Sequence, residues 1–190
     1  MKIYDISKGL LAAPVYPGDM APRVEAVSSI EKGGGYNMSH ICMTSHSGTH
    51  ADAPSHFVSG GRTIDQIELS RFVGPCTVWE KEGLVSAKEI RDLSAFWEKR
   101  LLIKGDIILG DDAAQALVDA DILLIGIEGL TVGMPGSPRS THMILLSNEV
   151  IILESLDLSP VNPGRYQLCA APLKIEGCDG APCRALIWEE

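Results

Sequence analysis

Histidine is scarce in this chain of 190 residues, yet four of the five, His40, His46, His50 and His56, fall within the seventeen positions 40–56. An even spread would place about half of one residue there. Imidazole titrates near neutrality and is the commonest protein ligand of metal ions, so the cluster points to a metal or acid/base site rather than to core packing. The local string is Ser45-His46-Ser47-Gly48-Thr49-His50-Ala51-Asp52-Ala53-Pro54-Ser55-His56-Phe57. Gly48 and Pro54 exclude a helix, so His46 and His50 are not the two-histidine face of a helical zinc site. An extended chain, rising about 3.3 Å per residue, would hold their α-carbons about 13 Å apart. Metal bonds are about 2 Å long, so the chain must bend at Gly48 for the two to share one ion. His50 and Asp52, two apart, can face the same side of a strand. Two imidazoles and a carboxylate are the smallest set that holds a catalytic ion and leaves a position for water.

The fifth histidine, His142, is followed by Glu154 at the end of the apolar run Val150-Ile151-Ile152-Leu153. One straight helix would separate the two by about 18 Å. A helix from Ser140, a turn near Asn148 and a returning strand would bring both to one place. A carboxylate ending an apolar strand needs a partner, and a cation satisfies it. Glu149, in the turn, is expected to face water.

Short apolar or β-branched runs bounded by Gly and Pro predict strands at 2–7, 24–30, 37–44, 72–79, 122–127, 150–153, 166–171 and 184–188. Ser86 with Glu89 forms a capping box, and Ile90, Leu93 and Trp97 share a helical face, which predicts a helix from Ser86 to about Lys99. Asp111 and Asp112 open a second helix through Asp119, where acidic residues suit the positive end. A third runs from Ser140 to Asn148, a residue tolerant of the left-handed cap. The expectation is an α/β fold, a mixed sheet with few helices in a single domain spanning 1–190. The Gly/Pro-rich stretches 33–35, 60–61 and 129–138 read as functional loops.

Composition narrows the rest. No stretch of eighteen apolar residues argues for a membrane span, and nothing at the start reads as a secretory leader. A net charge of −9 without a basic cluster argues against nucleic acid as a partner. The five cysteines are an odd number without any CxxC pair, which fits reduced thiols in a cytoplasmic protein. Cys178 and Cys183 have the wrong spacing for a site, and Trp79, Trp97 and Trp188 read as core or interface.

The string His-x-Gly-Thr-His-x-Asp-x-Pro-x-His-Phe, carried without a gap from His46 to Phe57, resembles the signature of the cyclase family of metal-dependent hydrolases. Bacterial kynurenine formamidases and isatin hydrolases belong to that family. Further matches are Asp5-Ile6-Ser7, Val15-Tyr16-Pro17-Gly18-Asp19, Ile125-Gly126-Ile127-Glu128, His142 with Glu154-x-Leu156-x-Leu158, and the closing segments Ala171-Pro172-Leu173-Lys174 and Asp179-Gly180-Ala181-Pro182. The resemblance implies a swivelling β/β/α fold, a homodimer or larger homo-oligomer, and a small-molecule substrate. It makes His46, His50 and Asp52 ligands of one metal, with Asp52 bridging to a second ion held by His142 and Glu154. His56 becomes the acid/base residue, and Tyr16 the aromatic substrate contact where kynurenine formamidases carry Trp. His40 lies outside the signature and is expected to be a plain strand residue. The 128–133 segment departs from the kynurenine formamidase pattern.

Nitrogen and oxygen donors without thiolate suit Zn²⁺ first and Mn²⁺ as the alternative, with two ions per chain implied. Such an ion lowers the pKa of bound water from about 15.7 toward 7, making hydroxide available to attack a small amide such as N-formylkynurenine. Proton transfer by His56 to the departing amine is worth about 10² to 10⁴ in rate. The alternatives are a lactone or cyclic-amide hydrolase or cyclase, a mononuclear Fe(II) oxygenase built on His46, His50 and Asp52, and a metal-binding module without catalysis.

Overall fold

Three adjacent strands carry almost unbroken apolar sequence, Arg100–Lys104, Leu124–Ile127 and Ile151–Glu154, as expected of parallel strands covered on both faces. The computed structural model describes residues 1–134 and 136–189. Its strands are β1 (Ile3–Asp5), β2 (Arg23–Ser28), β3 (Met38–Cys42), β4 (His50–Asp52), β5 (Val73–Glu80), β6 (Gly83–Val85), β7 (Arg100–Lys104), β8 (Ile107–Leu109), β9 (Leu124–Ile127), β10 (Ile151–Glu154), β11 (Gly164–Cys169), β12 (Gly180–Pro182) and β13 (Leu186–Trp188). Its α-helices are α1 (Ala87–Leu93), α2 (Asp111–Asp119) and α3 (Arg139–Ser147).

Nine strands form one mixed sheet in the order β1-β13-β11-β5-β7-β9-β10-β4-β12. The central run β5-β7-β9-β10 is parallel and every other pairing is antiparallel. Side chains alternate across it. Leu101, Ile103, Ile125, Ile127 and Ile152 join the core beneath the three helices, with Ile90, Leu117 and Leu145. Leu102, Leu124, Ile151 and Leu153 join the opposite core, with Ile6, Phe72, Leu156 and Leu168. The fold is therefore the expected mixed α/β sheet with few helices. The hairpin β2–β3 stands apart from this sheet, with Val24, Val27, Met38 and Ile41 exposed.

Several local expectations need correction. α1 begins at the capping box of Ser86 and Glu89 as read, but ends at Leu93 instead of running to about Lys99. A 3-10 turn, Ser94–Phe96, follows and the chain is extended at Trp97, whose ring packs on Trp79 of β5 with centroids 5.1 Å apart. β7, Arg100–Lys104, was not among the expected strands. α3 starts one residue early, and Asn148 keeps φ −103 while Glu149 takes the left-handed conformation, φ 58. The short strands β4, β6, β8 and β12 carry too few residues to show an alternating pattern. Among the described residues no helix is long and apolar enough to cross a membrane, and no two of the five cysteines are bonded.

Candidate metal centre

β4 lies between β10 and β12, and its register sets Glu154 directly across from His50 and Gly180 across from Asp52. Opposite residues in such a pair hold their β-carbons about 5 Å apart. Accordingly His50 Nε2 lies 3.5 Å from Glu154 Oε2 and 3.3 Å from Asp52 Oδ1. The bend before β4 falls at Gly48, φ 65, a left-handed conformation that glycine adopts without penalty. It turns His46 back so that its Nδ1 is 2.8 Å from Asp52 Oδ1. From the other side α3 delivers His142, whose Nε2 is 3.3 Å from Glu154 Oε1 and 3.7 Å from Asp52 Oδ2.

The structure thus brings His46, His50, Asp52, His142 and Glu154 to one place, and the turn Pro54–His56 adds His56, its ring 3.9 Å from that of His46. His40 stays on β3, exposed and outside the cluster. Glu149 is partly exposed and pairs with Arg62 at 2.7 Å. Tyr16 lines the same cavity of about 310 Å³ as the histidines, together with Thr44, Phe57, Leu130, Thr131 and Pro138. That volume suits a small ligand. Glu128, in the segment where the sequence departs from the kynurenine formamidase pattern, does not line it. Its carboxylate accepts hydrogen bonds from the backbone N–H groups of Gly105 and Leu158.

Burial at the centre is nearly complete: Asp52 is 0% exposed, His50 and His142 2%, and Glu154 4%. Two buried carboxylates need compensating charge. Without metal it comes from protons. Burial opposes the charged form of His50, but the Asp52 and Glu154 carboxylates overcome it and raise its pKa to about 10. His46 and His142 are raised in the same way, against burial, by Asp52 and Glu154 respectively. Burial also disfavours ionised Asp52, yet its contacts with His46 and His50 hold it well below the usual carboxylate range.

The donor set fits a divalent cation. Nδ1 of His50 is 2.8 Å from the Gly48 carbonyl, and Nδ1 of His142 is 2.9 Å from that of Pro138. A carbonyl only accepts, so each Nδ1 carries a proton, and each ring that gives up its Nε2 proton to a cation turns a lone pair on Nε2 toward the carboxylates. Moreover, His50 Nε2 and Asp52 Oδ2 are buried without a hydrogen-bond partner. Ligand atoms converge within 4.8 Å in two overlapping groups, His50 with Asp52 and Glu154, and His46 with Asp52 and His56.

Sequence reasoning missed Asp179. Its Oδ2 lies 3.0 Å from His46 Nε2 and 3.2 Å from His56 Nδ1, and its Oδ1 accepts from Ser45 Oγ at 2.8 Å. A signal was present in the sequence, where Asp179-Gly180-Ala181-Pro182 resembles a closing segment of the family; in the fold a β-carbon at Gly180 would come within 2.8 Å of the His46 ring and 2.7 Å of the Ala51 carbonyl. An acidic residue followed by an obligatory glycine at a crowded histidine marks a close approach.

A mixed α/β sheet that gathers imidazoles and carboxylates at a small cavity defines a protein of the metal-site class. Residues 4–133 match the family model described as "Putative cyclase", and the chain belongs to this cyclase family. It is 33% identical to a kynurenine formamidase of Delftia acidovorans, over 98% of this chain and 97% of that one. It is 32% identical to one from Salinibacter ruber, with the same coverage. Among solved structures, a protein titled as a potential metal-dependent hydrolase with cyclase activity superposes with a TM-score of 0.83 at 32% identity, covering 100% of this chain and 99% of that one. An isatin hydrolase bound to thioisatinate shares the fold, with a TM-score of 0.84 at 21% identity over 98% and 91% of the two chains.

Proposed function

We propose that this chain is a metal-dependent hydrolase of a small arylformamide such as N-formylkynurenine, releasing formate and the free arylamine. The observation that carries the reading is the convergence of His46, His50, Asp52, His142 and Glu154 beneath one small cavity, in a chain 33% identical to a kynurenine formamidase along nearly its whole length. In this reading His46, His50 and Asp52 would hold one divalent ion, and His142 and Glu154, with Asp52, would hold a second. Zn²⁺ is the first expectation and Mn²⁺ the alternative. When bound, such ions supply Lewis acidity that favours hydroxide at neutral pH and polarises a carbonyl.

The chain's own residues do the rest. Tyr16 and Phe57 offer aromatic surface for the aryl group at the cavity wall. His56 takes the proton of the attacking water and passes it to the nitrogen as the C–N bond breaks, since an unprotonated amine leaves poorly. Burial lowers the His56 pKa, an effect that the Asp52 carboxylate opposes and the His46 charge reinforces, which suits it to accept that proton near neutrality. A cytoplasmic homodimer in tryptophan breakdown is the setting this reading carries.

A second reading, hydrolysis of a cyclic amide or lactone, is favoured by Leu130 and Thr131, which line the cavity from the segment that departs from the kynurenine formamidase pattern. One experiment separates them: metal analysis of the purified protein, then hydrolysis of N-formylkynurenine, isatin and a simple lactone after reconstitution with Zn²⁺ or Mn²⁺. Rapid turnover of the formamide supports the proposal. Preference for isatin or the lactone supports the second reading, and bound metal without turnover of any of the three leaves a binding module.

A further inference from the structure

His56 is held from behind by a residue of the C-terminal segment. Asp179 precedes β12, and its backbone carbonyl accepts the amide N–H of Ala53 at 2.9 Å, tying that segment to the start of the turn that carries His56. On its side chain, Oδ1 is fixed by the Ser45 hydroxyl, so Oδ2 points at the two adjacent imidazoles, His56 Nδ1 and His46 Nε2. An aspartate is an acceptor only. The nitrogen that faces it must therefore carry a proton, and in a neutral His56 ring that leaves the lone pair on Nε2.

We infer that Asp179 is the positioning residue of this site, fixing His56 as the Nδ1–H tautomer with Nε2 presented for proton transfer. A neutral imidazole in water prefers the opposite tautomer, with the proton on Nε2, which cannot accept one there. Orientation follows from the same contact, because a ring tethered at Nδ1, packed at a tilt on His46 and edge-to-face on Phe57, at centroid distances of 3.9 and 4.4 Å, has little freedom to turn. The second contact, to His46 Nε2, has the form of the carboxylate that steadies the outer nitrogen of a metal-binding histidine. Three donors, the Ser45 hydroxyl and the two imidazoles, converge on the Asp179 carboxylate.

The inference rests on the reading of His56 as the acid/base residue, and its test separates the two. With five histidines in the chain, the ring nitrogens of the zinc-loaded protein are resolvable by long-range ¹H–¹⁵N NMR at pH 8, and His56 is assigned by its loss in His56→Gln. Wild type is expected to show His56 as Nδ1–H. Asp179→Ala and the isosteric Asp179→Asn should move it toward Nε2–H. At saturating zinc, both should lower kcat on N-formylkynurenine about 10- to 100-fold, the usual cost of losing such a supporting carboxylate, with KM within about twofold. A carboxylate with only a structural role would lower thermal stability and leave the tautomer where it was. Nε2–H in wild type, an unchanged tautomer in both variants, or an unchanged kcat overturns the inference. If wild type hydrolyses no formamide, the proposed function falls, and the tautomer measurement still decides the role of Asp179.

Discussion

Nε2 of His142 stands 3.3 Å from Oε1 of Glu154, although twelve residues separate them in the chain. Helix α3 carries the histidine inward, its ring anchored at the Pro138 carbonyl, and β10 returns beside β4 to set the glutamate across from His50. The backbone N–H of Val132 donates to Glu154 Oε1 at 2.7 Å, so the loop after β9 fixes the same carboxylate. The far half of the site is thus built by a helix, a turn and a strand.

A metal held by the proposed ligands would stabilise the whole fold, because those residues come from β4 and the bend before it, from α3 and from β10. An ion present at 100 times its Kd adds about 2.7 kcal/mol. In a chain of this size each kcal/mol shifts Tm by about 2 to 4 °C. Adding Zn²⁺ to chelator-treated protein is expected to raise Tm by about 5 to 10 °C, and Glu154→Gln to remove most of the increment. Calorimetry of the two proteins with and without zinc checks it; an equal increment in both would exclude Glu154 as a ligand.

His56 and His50 differ in burial and in company, and their variants should part. His56→Ala is expected to retain metal and lose about 10² to 10⁴ in kcat, whereas His50→Ala loses both metal and turnover. Metal content by elemental analysis, set beside rates, checks this. Parallel loss of metal and rate in both variants would make His56 a ligand, as its grouping with His46 and Asp52 within 4.8 Å allows.

The metal-free protein should lose stability as the medium turns alkaline. His50 has its pKa raised from 6.5 to about 10 in the folded state. Its contribution is therefore complete below pH 6.5 and is lost as pH rises toward 10. Asp52, lowered from 3.8, contributes above about pH 4 and its share is lost in acid. Tm without metal should peak between about pH 4 and 6.5 and fall from there to pH 10. Metal competes with these protons, so its affinity should rise over the same interval. A flat metal-free Tm between pH 6.5 and 9 would contradict the charge state assigned to His50.

The site was legible in the sequence where chemistry and spacing agree. Gly48 and Pro54 exclude a helix between His46 and His56, and Glu154 ends a run too apolar to leave a carboxylate unpartnered. Long β-branched runs such as the one at β10 announced the sheet. What stayed hidden depends on contacts distant in the chain. The three residues of β12 show no period, and Asp179, although it lies in a segment resembling the family, has no visible partner until β12 pairs with β4. α1 was over-extended because Trp97 continues the helical period, while in the fold its ring is taken by Trp79 on β5.

Gly48 offers the sharpest test of how the site is built. Its φ of 65 is one that a side chain adopts at a cost of about 1 to 2 kcal/mol, and a β-carbon there would touch Leu10 at 3.4 Å. Its carbonyl also accepts the Nδ1 proton of His50, so relaxation of the strained turn moves two proposed ligands at once. Gly33, with φ 85 and open space around it, carries a similar backbone strain near the hairpin β2–β3. Gly48→Ala and Gly33→Ala are both expected to lower Tm by about 2 to 8 °C, but only Gly48→Ala should also weaken zinc binding in a chelator competition. Equal zinc affinity in the two variants would mean that the bend at Gly48 does not set the distance between His46 and His50.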